Sequence, residues 1–140
     1  MTNVGICGAN GKMGKRLLAL LETNVFPPLH LTQTFTASNH FHESAMKTID
    51  VLIDFSTPAA FASYSPWVRE FRKPLVIGTT GYSLEEKKEI NALSQYIPLL
   101  MSPNMSIGMN ILFELVKKVD PMILGNFSNL WKRVDAYFWR

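Results

Sequence analysis

Gly8, Gly11 and Gly14 follow the apolar run Val4–Cys7 and lead into a segment in which Met13, Leu17, Leu20 and Leu21 fall at helical spacing. No other feature restricts the fold of this chain so sharply. A strand that enters a glycine turn and leaves as a helix sets the free amides of the helix start above the strand end. Glycine serves three needs there: the turn is tight, the backbone can approach an anion without a side chain between, and the helix can pack closely on the strand. The spacing G-x-x-G-x-x-G is a variant of the dinucleotide fingerprint G-x-G-x-x-G, and an unliganded tight turn would satisfy it as well. A triphosphate-binding loop, G-x-x-x-x-G-K-[ST], does not overlay, because Ala9 and Arg16 stand where Gly and Ser or Thr are required.

Around this turn, short apolar runs alternate with helical patterns. Asn3–Cys7, Leu29–Phe35, Asp50–Phe55, Pro74–Ile77 and Pro98–Met101 read as strands, which predicts an α/β fold: a Rossmann-type doubly wound parallel sheet in a single domain. The first helix should end at Thr23 and Asn24, before Pro27 and Pro28. Ser56, Thr57 and Pro58 supply a cap and a first-turn proline for a helix that Pro66 should divide into two shorter pieces. Ser83-Leu84-Glu85-Glu86 reads as a capping box, with Ile90 and Leu93 forming the apolar face that follows. A last helix is expected from about Ser106 to Val119, burying Ile107, Ile111, Leu112, Leu115 and Val119.

Composition narrows the function classes. The 140 residues suffice for one domain with one sizeable core, and 47% hydrophobic with 18% charged residues excludes a disordered chain or a coiled coil. A net charge of +3 would fit a nucleic-acid partner only if the cations clustered, but they are scattered over Lys12, Lys15, Arg16, Arg69, Arg72, Lys73, Lys117 and Lys118. The apolar stretch Leu17–Leu21 ends at Glu22, and no run reaches the roughly 18 residues needed to span a bilayer, so no membrane partner and a cytoplasmic location are expected. Cys7 lies within an apolar strand and reads as a small core residue rather than a nucleophile. His40 and His42 fall in a loop with no acidic partner but Glu43, which predicts solvated side chains and no metal site. Oligomeric state is left open, a homo-oligomer included.

Two further motifs stand at strand ends, where ligands of open α/β sheets gather: Gly78-Thr79-Thr80-Gly81 and Ser102-Pro103-Asn104-Met105-Ser106. Small residues and hydroxyls in the first can approach a planar amide, and Asn104 in the second offers both donors and an acceptor. Either would also serve as a plain turn.

The segments I-D-V-L-I-D-F-S-T-P (49–58), V-I-G-T-T-G-Y (76–82) and S-P-N-M-S-I-G-M-N-I-L-F (102–113), in this order after the glycine turn, resemble the N-terminal half of the dihydrodipicolinate reductases. The resemblance runs from Val4 to about Val119. It implies an NAD(P)H-dependent oxidoreductase that reduces a cyclic dicarboxylate on the route to diaminopimelate and lysine, with NADPH or NADH as cofactor. By motif, Gly8, Ala9, Asn10, Gly11, Lys12 and Met13 would bind the pyrophosphate, with Gly14 closing the turn. Gly78, Thr79 and Thr80 would face the nicotinamide side, and Ser102, Pro103, Asn104 and Met105 its carboxamide. Phe55, with Ser56 and Thr57, would line the crevice, and Thr80 would also approach a substrate carboxylate.

The same resemblance implies a substrate domain with adjacent histidines, a following lysine and a Ser-Gly-Thr stretch, none of which occurs here; His30, His40 and His42 all precede the third strand. No residue of the chain is therefore assigned a catalytic role. The expected division is 1–120 as nucleotide domain and 121–140 as a tail rich in aromatics, among them Phe127, Trp131, Tyr137, Phe138 and Trp139. Because the family's last segment returns to complete the nucleotide domain, one sheet edge should be open, with the tail placed to cover part of it. Thr36 and Ala37 occupy the place of the residues that read the adenosine ribose, and neither is acidic, while Lys12 or Ser38 could help hold a 2′-phosphate. An NAD(P)H-binding module without catalytic activity is the alternative to an enzyme; a domain serving protein association alone would bind neither cofactor.

Overall fold

The computed structural model describes residues 1–23, 28–36, 39–112 and 114–115. Met1–Met101 form one compact unit, and the residues from Ser102 belong to a second. Five strands build the first unit: β1 (Thr2–Cys7), β2 (Leu29–Phe35), β3 (Val51–Asp54), β4 (Leu75–Ile77) and β5 (Leu99–Met101). All pairings are parallel, in the order β2-β1-β3-β4-β5. The expected fold is thus present, with each strand within a residue or two of its expected place.

Side-chain alternation divides the sheet into two faces. On one, Val4, Ile6 and Ala9 are buried beneath Leu17, Leu18 and Leu21 of α1 (Lys12–Glu22). Met13 and Leu20, expected on that apolar side, are instead about half exposed, at 50% and 45%. On the other face Cys7, Leu52, Leu75 and Ile77 are buried in a larger core with residues of α2 (Glu43–Thr48), α3 (Pro58–Glu70) and α4 (Leu84–Leu93). The α1 face thins out towards β5: along the row Ile6, Ile53, Val76 and Leu100, the first is fully buried and the last 57% exposed. Leu100 of β5 thus presents apolar surface on that face.

Several local expectations need correction. α3 is one helix through Pro66, not two. Pro66 removes one helical hydrogen bond at a cost of about 3 kcal/mol. Phe61, Tyr64 and Val68, buried on both sides of it, offset this, each worth roughly 1.5–3 kcal/mol in the core. Pro58 occupies the first turn as expected, but Thr57 makes no side-chain cap. α2 was not anticipated; exposed His42 caps it, its Nδ1 accepting from the amide of Ala45 at 3.2 Å, and Ala45 and Met46 enter the core. The capping box of α4 is present, with Ser83 Oγ accepting from the Glu86 amide at 3.1 Å and Glu86 Oε2 from the Ser83 amide at 2.7 Å.

In the second unit, residues 107–112 are helical. The side chains expected to be buried there are exposed, Ile107 by 78%, Ile111 by 55%, Leu112 by 49% and Leu115 by 54%. Periodicity states which residues share a face; burial also needs a surface to cover that face. Val119, the 120/121 boundary and the aromatic segment lie outside the described residues. Among those described, no helix is long and apolar enough to cross a membrane.

Candidate functional site

Strand order reverses between β1 and β3, and ligands of such sheets bind outside the strand ends at that reversal. The glycine turn leaves β1 there. Gly8 has φ +81, a conformation L side chains rarely adopt, and a Cβ on it would lie 2.4 Å from the Phe55 carbonyl oxygen. A Cβ on Gly14 would lie 2.2 Å from the Gly8 carbonyl oxygen and 2.7 Å from Ala9 Cα, so α1 can sit this close only as built. Gly11 is the exposed N-cap of α1 and has ordinary backbone, so its need for glycine is not conformational.

The turn holds its own shape. Gly11 N donates to Gly8 O at 2.9 Å, Gly8 N to Phe35 O at 3.0 Å, and Lys15 N to Gly11 O at 3.0 Å. Helix hydrogen bonding thus begins at Lys15, and no side chain caps α1. The amides of Lys12, Met13 and Gly14 belong to the first turn, whose donors a helix cannot satisfy internally. Asn10, Gly11, Lys12 and Met13 are exposed around this opening, whereas Ala9 is buried beneath it.

The loop after β4 meets the loop after β3. Gly78 N donates to Asp54 O at 2.9 Å, and a Cβ on Gly78 would lie 2.1 Å from the Phe55 ring, which fills that space. Thr80 is exposed, while Thr79 is buried. Gly8, Phe55 and Gly78 therefore stand together, joined by backbone and ring contact.

Asp54, for which sequence reasoning proposed no role, is fully buried at this junction. Its Oδ1 accepts from the Ser56 amide at 3.0 Å and from the Ser56 hydroxyl. Oδ2 accepts from Thr79 Oγ1 at 2.9 Å, Tyr64 Oη at 3.0 Å and Tyr82 Oη at 3.2 Å. The carboxylate forms no salt bridge among the described residues. Burial, and then the Asp54 charge, push the Tyr64 and Tyr82 phenols far above their usual range. Cys7 is buried as expected, and burial above all pushes its thiol up to about 12.

Residues 2–105 match the family model described as dihydrodipicolinate reductase, N-terminus. The chain belongs to the dihydrodipicolinate reductase family. It is 35% identical over 137 residues to a 4-hydroxy-tetrahydrodipicolinate reductase of Clostridium perfringens (strain 13 / Type A), covering 91% of this chain and 54% of that one. It is 34% identical over 151 residues to a protein of the same name from Buchnera aphidicola subsp. Acyrthosiphon pisum (strain Tuc7), covering 92% of this chain and 55% of the relative. Among solved structures, a dipicolinate-bound dihydrodipicolinate reductase from Paenisporosarcina sp. TG-14 shares the fold, with a TM-score of 0.71 at 22% identity over 87% of this chain and 54% of that one. The chain spans about half the length of the curated relatives it matches.

The reductase-family motif Ser102–Met105 lies in the second unit. Within it Ser102 Oγ donates to the Asn104 carbonyl at 2.9 Å, and Asn104 Oδ1 accepts from the Ser106 amide at 2.9 Å. Asn110 Nδ2 donates to the carbonyls of Asn104 at 3.1 Å and Ser106 at 2.9 Å. The loop is therefore shaped by its own polar side chains. Thr36, at the expected ribose-reading place, follows β2 and is not acidic, while Ala37 and Ser38 lie outside the described residues.

Proposed function

We propose that this chain is the nicotinamide-dinucleotide-binding part of a dihydrodipicolinate reductase, taking NADPH or NADH on the glycine turn. One observation carries the reading: Gly8 at positive φ and Gly14 pressed against its carbonyl bring the α1 start, with its first-turn backbone donors, to the β1/β3 reversal. Such a cradle suits a pyrophosphate, since first-turn amides and the helix dipole both favour an anion. Asn10, Gly11, Lys12 and Met13 would surround the phosphates, with Gly8, Ala9 and Gly14 shaping the turn. Phe55, Gly78, Thr79 and Thr80 would form the nicotinamide side; for Ser102, Pro103, Asn104 and Met105, in the second unit, the carboxamide role rests on the family motif.

When bound, the cofactor would supply a hydride to a cyclic dicarboxylate in diaminopimelate and lysine biosynthesis. This chain's own contribution would be to bind and orient, and Thr80, which is exposed, would approach a substrate carboxylate. Asp54 is enclosed by five donors and does not face the opening, so no carboxyl of these loops serves as a proton donor. A positioned general acid is worth roughly 10²–10⁴-fold in rate. The chain alone therefore binds NAD(P)H without turning it over, and reduction needs a substrate domain. With no acidic residue at Thr36 or Ala37, the 2′-phosphate meets no charge repulsion, and NADPH should bind at least as well as NADH.

Gly11→Val tests the assignment. The N-cap φ of −72 suits any residue and a Cβ there would meet Gly8 O closely, at 3.2 Å, while a branched side chain would stand in the phosphate cradle, so NADPH affinity should fall by about tenfold or more with the circular dichroism spectrum largely kept. Unchanged affinity in a fluorescence titration would remove the glycine turn as the site.

A further inference from the structure

Thr79 Oγ1 is the joint of the buried cluster around Asp54. It donates to Asp54 Oδ2 at 2.9 Å and accepts from the Ser56 amide at 2.9 Å. Its proton and an acceptor site are thus used inside the fold. The cluster links three stretches of chain far apart in sequence: the β3 end with Ser56, α3 through Tyr64, and the β4–α4 loop through Thr79 and Tyr82. Phe55 and Gly78, whose ring and Cα close one wall of the crevice, are the immediate neighbours of Asp54 and Thr79 in sequence.

A buried carboxylate with no cation beside it is a poor means of stabilising a fold, because well-packed apolar groups of similar size do as well or better. What a satisfied polar cluster adds is a single arrangement of the groups that it joins. Here those groups are the two loops of the wall. The hydrogen bonds of the glycine turn, Gly11 N to Gly8 O and Gly8 N to Phe35 O, do not involve the Asp54 side chain.

We propose that Asp54 and Thr79 are positioning residues, a carboxylate–hydroxyl clamp that fixes the Phe55 loop against the Gly78–Thr80 loop and so presets the nicotinamide wall of the crevice. The inference rests on the cofactor reading above. Thr79 then acts through the loops, and its contribution to a bound ligand comes from its main chain.

The test is calorimetric titration of the full chain and of Thr79→Val, Thr79→Ser and Asp54→Asn with two probes, NADPH and ADP-ribose, the second carrying the pyrophosphate but no nicotinamide. A loosened wall should weaken NADPH by about tenfold in Thr79→Val and Asp54→Asn, while Thr79→Ser, which keeps the hydroxyl, stays within about threefold of the parent. ADP-ribose affinity should stay within about threefold in every variant, since the glycine turn is untouched. If Asp54→Asn fails to fold, the Thr79 pair decides, as it retains the carboxylate. Parent-like NADPH binding by Thr79→Val would overturn the clamp, as would equal loss of both probes or equal weakening in Thr79→Ser and Thr79→Val. Failure of the parent chain to bind either probe would instead remove the cofactor reading itself.

Discussion

Gly14→Ala sets two effects of opposite sign against each other. Alanine in a helix is favoured over glycine by about 1 kcal/mol, so helix propensity alone predicts a more stable protein. Against this, the new Cβ would stand 2.2 Å from Gly8 O, 2.7 Å from Ala9 Cα and 2.9 Å from Ala9 C. All three are backbone atoms, and no rotamer change can relieve them. Ordinary contact requires the start of α1 to retreat by about 1 Å, which loosens Leu17, Leu18 and Leu21 from Val4, Ile6 and Ala9. Overpacking of a tight core costs about 1–3 kcal/mol, and clashes with main chain belong at the upper end. The net expectation is a loss of about 2 kcal/mol, which for a domain of this size lowers the melting temperature by about 6–8 °C. Urea unfolding followed by far-ultraviolet circular dichroism measures it. A midpoint equal to or above the parent's would show that α1 is not held against the turn as described.

Three further outcomes concern the α4 cap and Cys7. Ser83→Ala removes one half of the α4 capping box and should lower stability by about 1 kcal/mol, read from the same urea midpoint. Cys7, raised to about 12, should resist a disulfide reagent at pH 8 in the native state and react once unfolded. Because the folded thiol titrates above the unfolded one, its contribution to stability is fully present below about pH 9 and is lost as pH rises towards about 12. Cys7→Ala should therefore flatten the alkaline fall of stability, and an unchanged slope would contradict this.

The parts of the fold legible in sequence were those with local signals. Strand runs, the glycine turn and the Ser83–Glu86 box each act within a few residues, and each is in place. What stayed hidden depended on distant partners. The six-residue α2 has little room for periodicity, and its cap is His42 rather than a customary N-cap residue. Pro66 is carried by the packing of Phe61, Tyr64 and Val68, which no helix rule registers. Ser56, two residues before the first-turn Pro58, looked like part of a cap but turns to Asp54. The Asp54 cluster had one available signal, an acidic residue closing an apolar strand beside hydroxyl-bearing S-T and T-T-G-Y segments. Its partners Tyr64, Thr79 and Tyr82 lie 10, 25 and 28 residues away, beyond any local pattern.

The central claim is that the glycine turn, and no other depression of the fold, receives the dinucleotide. A groove between α3 and α4, lined by Phe61, Arg69, Glu89 and Tyr96 with Arg69 stacked over the Tyr96 ring at 4.1 Å, offers a ready control surface for this claim. Amide spectra of the isotopically labelled chain, recorded as NADPH is added, test it directly. Shifts should concentrate at Gly8–Gly14 and Gly78–Thr80 and saturate together, leaving Arg69 and Tyr96 unmoved. Shifts confined to the α3–α4 groove, or none at all with NADPH in large excess, would contradict the account.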